Sequence, residues 1–227
     1  MSSAPALAGP PYDTDDPEPT DTGHWEIYAF AAGNRGGHVT DGAAGLDLNY
    51  GPVDRVQLTA TLPLAFTSED GGHVARGNVE AGIKYQFAKG RTASAAIFPR
   101  VILPTAGARF GTGRAAFLLP LWMQKDFGQV SVFGGGGYTI NPGTGQRDYW
   151  SEGLAATASL NEGMTAGIEV THFGADATDA HPETRLGLGG SVHIAGPYSL
   201  LFSGGPTFVA GRHHAQAHGY AALQISF

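Results

Sequence analysis

The chain has 227 residues, no cysteine and a formal net charge of −7. This composition excludes disulfide and thiolate chemistry and argues against nucleic acid as a partner. No run of about 18 apolar residues is present, so no membrane-spanning helix is available, while 35 glycines suit close strand packing and turns.

Residues 1–22 form a segment apart. Asp13, Asp15, Asp16, Glu18 and Asp21 are acids with no base among them, and Pro5, Pro10, Pro11, Pro17 and Pro19 forbid regular structure. Met1-Ser2-Ser3 lacks a basic start and a long apolar core, whereas Ala6-Leu7-Ala8 has the small residues of a cleavage site. The expectation is a near-mature chain. Its acidic segment is read as a solvated tail, or as a strap that folds into a lumen or caps its periplasmic mouth.

From His24 a period of two begins, the signature of strands with two unlike faces. Trp25, Ile27, Ala29 and Ala31 alternate with His24, Glu26, Tyr28 and Phe30. Leu46, Leu48 and Tyr50 alternate with Asp47 and Asn49. Val56, Leu58, Ala60, Leu62 and Leu64 alternate with Arg55, Gln57, Thr59 and Thr61, and Val79 to Phe87 with Asn78 to Gln86. A less regular segment follows near 93–104, then one near 115–126 that is apolar on both faces. Further segments fall at 129–140, across the Gly134–Gly137 run, at about 149–160, at 164–171, at 185–194 and at 198–203. The terminal segment sets Gly219, Ala221, Leu223 and Ile225 against Tyr220, Ala222, Gln224 and Ser226, and the chain stops on the ring of Phe227.

The connections alternate in length. Turns at 50–54, 88–91, 126–128, 160–163 and 195–197 are tight, whereas 32–42, 65–76, 104–114, 141–148, 173–183 and 209–217 are longer and polar. An even strand count with every long loop at one end is the pattern of an outer-membrane barrel. In hydrocarbon each N–H and C=O must be paired, which a sheet achieves only when its first and last strands meet. The fold class predicted is all-β: a 12-stranded antiparallel transmembrane β-barrel over residues 23–227, with short periplasmic turns and long extracellular loops. Aromatics fall at both ends. Trp25, Tyr50, Tyr85, Phe87, Phe127, Tyr198 and Phe227 lie beside the turns, and Tyr138, Trp150 and Phe208 near the long loops. Pro63, Pro99, Pro120 and Pro206 are costly in a ladder and are expected at bulges or strand ends near the outer rim.

Several stretches resemble one family. They are Thr14-Asp15-Asp16-Pro17-Glu18-Pro19 with His24-Trp25-Glu26-Ile27-Tyr28, then Leu48-Asn49-Tyr50-Gly51, Gly82-Ile83-Lys84-Tyr85, Leu103-Pro104-Thr105, Leu119-Pro120-Leu121-Trp122 and Gly135-Gly136-Gly137-Tyr138. Together the chain is similar to the outer-membrane transporter family labelled "MetA-pathway of phenol degradation". The resemblance implies an outer-membrane transporter associated with aromatic degradation, and it brings no catalytic residue.

Glu26, Asp47, Arg55, Glu80, Lys84, Arg100, Glu169 and Arg185 take the parity opposite to lipid. They are read either as a salt-bridged filling or as a charged constriction that selects solutes, with Glu80, Lys84, Arg100 and Glu169 at its centre. His38, His73, His181, His213, His214 and His218, with Asp176 and Asp179, crowd the long-loop end, yet no pair has a structural metal spacing, so no metal is assigned. Ser151 and His172 are ingredients of a hydrolase, but no local motif joins them, and the Gly134–Gly137 run lacks the Lys-Ser/Thr of a phosphate loop. The reading is therefore a non-enzyme without cofactor: a monomeric channel of the bacterial outer membrane, in contact with lipid. It would let small solutes pass passively, hydrophobic or aromatic ones among them. The alternative is a closed structural or ligand-binding barrel.

Overall fold

The computed structural model describes residues 11–227. The Ala6-Leu7-Ala8 stretch and the first ten residues of the acidic segment lie outside the described residues. The strands are β1 Trp25–Gly36, β2 Val39–Val53, β3 Val56–Thr67, β4 His73–Arg76, β5 Val79–Lys89, β6 Ala93–Ile97, β7 Arg100–Leu103, β8 Ala116–Phe127, β9 Val130–Ile140, β10 Tyr149–Asn161, β11 Met164–Phe173, β12 Glu183–Ala195, β13 Tyr198–Val209 and β14 Gln216–Ser226. One short 3₁₀ turn, Glu69–Gly71, interrupts the loop after β3.

The alternating residues make one sheet whose ends meet. β14 pairs antiparallel with β1, setting Ala29 opposite Leu223 and Ala31 opposite Ala221. The last residue completes the seam: Trp25 N–H donates to the Phe227 carbonyl at 2.7 Å, and Phe227 N–H donates back to Trp25 at 3.0 Å. Two staves of the wall are each split in two. β4 and β5 pair with the two halves of β3, and β6 and β7 with the two halves of β8. The barrel is thus 12-stranded and closed, as the alternation predicts.

Three of the prolines account for the splits. Gly77 N–H, in the gap between β4 and β5, reaches the Pro63 carbonyl at 2.9 Å. Phe98 N–H, in the gap between β6 and β7, reaches the Pro120 carbonyl at 3.1 Å, and Pro99 follows directly. The fourth, Pro206, adjoins an unpaired stretch of the β12–β13 ladder between Arg185↔Thr207 and Leu188↔Gly204. The prolines mark ladder breaks within the wall rather than strand ends at the rim.

One expected long loop is absent. Residues 32–42 continue the strands to Gly36 and resume them at Val39, leaving a two-residue turn of Gly37 and His38. Gly37 supplies the positive φ of 63° that this turn requires. Its flanks are small and polar, so no hydrophobic alternation marks them, but a backbone ladder needs no apolar side chain to continue. Most of 65–76 is strand for the same reason. The other four long connections stand, and two are tied together: Arg147 N–H donates to Asp176 O at 2.8 Å and Thr178 N–H to Gly145 O at 2.9 Å.

The outside is dressed for hydrocarbon. Leu46, Leu58, Leu62, Leu64, Ile83, Phe117, Leu119, Leu121, Met123, Ile168, Leu186, Leu188 and Phe202 are all large, apolar and exposed. A monomer in water does not carry a continuous apolar belt of this kind, and an outer-membrane barrel requires one. Trp25 stacks on Tyr50 with centroids 4.7 Å apart at the turn end, and Tyr138 packs against Trp150 at 5.1 Å at the loop end. β8, apolar on both faces, turns Leu118 and Trp122 inward and Leu119, Leu121 and Met123 outward.

Candidate functional site

The interior reverses the usual rule, with Gln57, Thr59, Thr61, Lys84, Gln86, Arg100, Thr139, Glu169, Thr171, Arg185 and Thr207 all buried. Buried polar groups need partners. Many of these find theirs in the segment that precedes β1.

Residues 11–22 run up the lumen from the short-turn end. Thr22 bridges to Gly51, and Gly23 N–H donates to the Gly51 carbonyl at 2.7 Å. Gln57 Oε1 accepts from Thr20 N–H at 2.8 Å and from its hydroxyl at 3.1 Å. Ser94 donates to the Glu18 carboxylate at 2.7 Å, and Gln86 Nε2 donates to the Pro17 carbonyl at 3.2 Å. Lys84 Nζ donates to Asp15 Oδ1 at 3.0 Å and to the Asp16 carbonyl at 2.9 Å. On the far wall, Glu169 accepts the N–H groups of Asp13 at 3.2 Å and Thr14 at 3.1 Å. Arg185 Nη1 donates to Asp13 Oδ2 at 2.9 Å, and Ser203 donates to the Pro11 carbonyl.

The spacing of prolines and acids now has a physical reason. A strand-free chain packed against a wall must satisfy its N–H groups without a ladder. The N–H groups of Asp13, Thr14, Asp16, Glu18 and Thr20 each find a side-chain oxygen, two of them on Asp15 and Asp16 within the segment. Pro11, Pro17 and Pro19 have no N–H to satisfy. Glycines in the wall clear the path. A Cβ on Gly51 would strike the Thr20 and Asp21 carbonyls, and one on Gly167 would come within 2.6 Å of the Tyr12 hydroxyl. Burial, with the Glu169 carboxylate beside it, pushes the Tyr12 phenol up to about 12.

Space is left above and below the segment. An outer vestibule of about 240 Å³ is lined by Phe66, Ile102, Phe110, Arg109, Arg114 and Tyr149 among others. A bowl of about 630 Å³ opens between the turns at the other end, lined by Gln129, Asn161, Glu162 and His193. Beside the segment the cavities shrink to about 30, 50 and 70 Å³.

The solved structures with this shape have little in common with it in sequence. An outer membrane channel of the COG4313 group from Pseudomonas putida F1 is 16% identical over 93% of this chain and 98% of that chain, with a TM-score of 0.72. The fold is that of the outer-membrane β-barrels. The KdgM porin, 12% identical over 89% of this chain and 99% of its own, superposes with a TM-score of 0.64. The translocator domain of the autotransporter NalP from Neisseria meningitidis, 14% identical over 91% and 89%, gives 0.58. No protein-family model matches the sequence, and no curated protein is similar to it in sequence.

Seven of the eight charged residues predicted to face the interior belong to the barrel strands and are buried or half-buried. Lys84, Glu169 and Arg185 hold the segment. Arg100 pairs with Glu80 at 3.5 Å and lies over the Phe98 ring. Asp47 accepts from Thr61 at 2.8 Å, and Glu26 accepts from the Tyr28 hydroxyl at 2.9 Å. Arg55 does not join them. It sits in the β2–β3 turn with φ 64° and pairs with exposed Asp54 at 3.4 Å, because the hairpin reverses one residue before the strand pattern begins.

Of the five acids in the segment, Asp13, Asp15, Asp16 and Glu18 meet the wall or one another, while Asp21 lies exposed at the entrance. Ser151 and His172 cannot form a nucleophile and base. Ser151 is paired with Phe173 and His172 with Glu152, so the two point to opposite faces of the sheet. Sequence reasoning passed over Gln57, Gln86, Ser94 and Ser203. Their inward parity was the available signal, but neutral side chains do not advertise a partner.

Proposed function

We propose that the protein is a monomeric outer-membrane channel for the passive passage of small solutes, with residues 11–22 as a plug that must leave for the path to open. The observation that carries this reading is the change in free volume along the lumen. Two wide chambers flank a stretch where the spaces beside the segment are of the order of one or two water molecules, about 30 Å³ each. Removing the segment joins them. The outer vestibule mixes Phe66, Phe110 and Ile102 with Arg109 and Arg114, a lining suited to small, partly apolar or aromatic solutes. Glu80, Lys84, Arg100 and Glu169 form the charged narrowing behind it. Neighbours of the same fold carry the words channel and porin in their descriptions, which favours a conducting barrel over a closed one. The sheet closes on itself through the β1–β14 pairing and needs no strand from a second copy, which supports a monomer.

Liposome swelling tests the proposal. Vesicles carrying the chain without residues 1–22 should admit small sugars and small aromatic acids faster than vesicles carrying the full chain. Equal exclusion by both, at the level of protein-free lipid, would establish the closed barrel instead.

A further inference from the structure

Where the segment meets the far wall, it brings together three side chains widely separated in sequence. Asp13, Glu169 of β11 and His218 of β14 each place one ligand atom within 4.8 Å of the others. All three line one cavity of about 50 Å³, together with Tyr12, Arg185 and Ser203. Three residues of this lining carry a buried polar atom without a hydrogen-bond partner: His218 Nε2, Asn34 Oδ1 and the hydroxyl of Tyr12, whose residue is only 5% exposed. An unpartnered imidazole nitrogen beside two carboxylates in one small cavity calls for an occupant.

The donor chemistry selects the occupant. His218 Nδ1 lies 3.1 Å from the Thr207 hydroxyl, an outer contact that fixes the ring and leaves Nε2 facing the cavity. Each Glu169 oxygen accepts one backbone N–H and keeps a lone pair. Asp13 gives Oδ2 to Arg185, whose guanidinium also binds Glu183 at 2.6 Å, leaving Asp13 Oδ1 available. Three carboxyl groups, those of Asp13, Glu169 and Glu183, outnumber the one guanidinium of Arg185 and leave an excess of acidic groups. A divalent cation balances them, whereas an anion is repelled.

We propose that Asp13, Glu169 and His218 bind a divalent first-row transition metal such as Zn²⁺, which latches the plug segment to the barrel wall. One imidazole and two carboxylates suit such ions better than Ca²⁺ or Mg²⁺, which prefer all-oxygen shells. Metal bonds of about 2.0–2.2 Å would set the ligands about 3.3–3.6 Å apart, so the site closes by roughly 1 Å, within reach of a rotation of Asp13. The metal site stands on geometry alone; only its effect on conduction rests on the channel reading.

Isothermal titration of Zn²⁺ into the detergent-solubilised full chain tests the site without any measurement of current. One ion per chain should bind. Both His218→Gln and Asp13→Asn should weaken that binding by at least about tenfold. The double variant His213→Gln/His214→Gln, confined to the exposed outer loop, should bind as the parent does. Folding of each variant is verified by its shift between heated and unheated gel lanes. Absence of binding to the parent chain overturns the site, as does binding that survives in folded His218→Gln or is lost with His213 and His214.

Discussion

Lys84 Nζ lies 3.0 Å from Asp15 Oδ1 across 69 residues of sequence, with the two side chains only 4% and 2% exposed. Taking one partner from a buried pair leaves the other charge uncompensated, at a cost of about 3–5 kcal/mol. Lys84→Met should therefore shift residues 11–22 out of the lumen while the barrel persists. An endoprotease that cuts on the amino side of Asp should then cleave the Tyr12–Asp13 bond faster than in the parent. Replacing both partners, as Lys84→Met with Asp15→Leu, should restore much of the protection. Unchanged cleavage of the single variant would show that the pair does not hold the segment.

Gly51 offers a second way to evict the segment, one that changes no charge. A side chain there meets the Thr20 and Asp21 carbonyls, which have no flexible end to give way. Gly51→Val should raise cleavage of the Tyr12–Asp13 bond and raise conductance together. A variant that folds yet protects the Tyr12–Asp13 bond as the parent does would contradict the placement of the segment against the β2–β3 turn.

Ion preference should change when residues 1–22 are removed. Residues 1–22 carry Asp13, Asp15, Asp16, Glu18 and Asp21, and their loss frees Lys84 and takes from Arg185 one of its two carboxylate partners, leaving Glu183. In a KCl gradient, the reversal potential of the truncated chain should lie on the anion side of any current the full chain passes. Replacing Lys84 and Arg185 by Met in the truncated chain should move it back. A cation preference that survives truncation would contradict this assignment of the two bases.

The wall was legible because alternation is a property of neighbouring residues. Leu58, Leu62 and Leu64 announce their outward face, and Phe227 its place at the seam, without reference to anything distant. Glu80, Lys84, Arg100, Glu169 and Arg185 were likewise placed inside by parity. What parity cannot supply is a partner. Nothing near Glu169 states that its carboxylate will receive the N–H groups of Asp13 and Thr14, or that His218 will face both. Those meetings depend on the route of a segment without periodicity. Arg55 was misplaced because a strand pattern does not mark the residue at which its hairpin turns.

The seam makes its own prediction. The two backbone bonds between Trp25 and Phe227 are each worth about 0.5–1.5 kcal/mol net, and in hydrocarbon their loss leaves polar groups with no water to receive them. Deleting Phe227 should lower the fraction of chain that shows the compact, heat-sensitive band on unheated gels. Wild-type yield of that band would show that the last residue is dispensable for closure.

Single-channel recording in planar bilayers, comparing the full chain with one lacking residues 1–22, tests the central claim most directly. The plug account predicts small or rare openings for the full chain and a steady, several-fold larger conductance for the truncated one. Equal conductance for the two would contradict it.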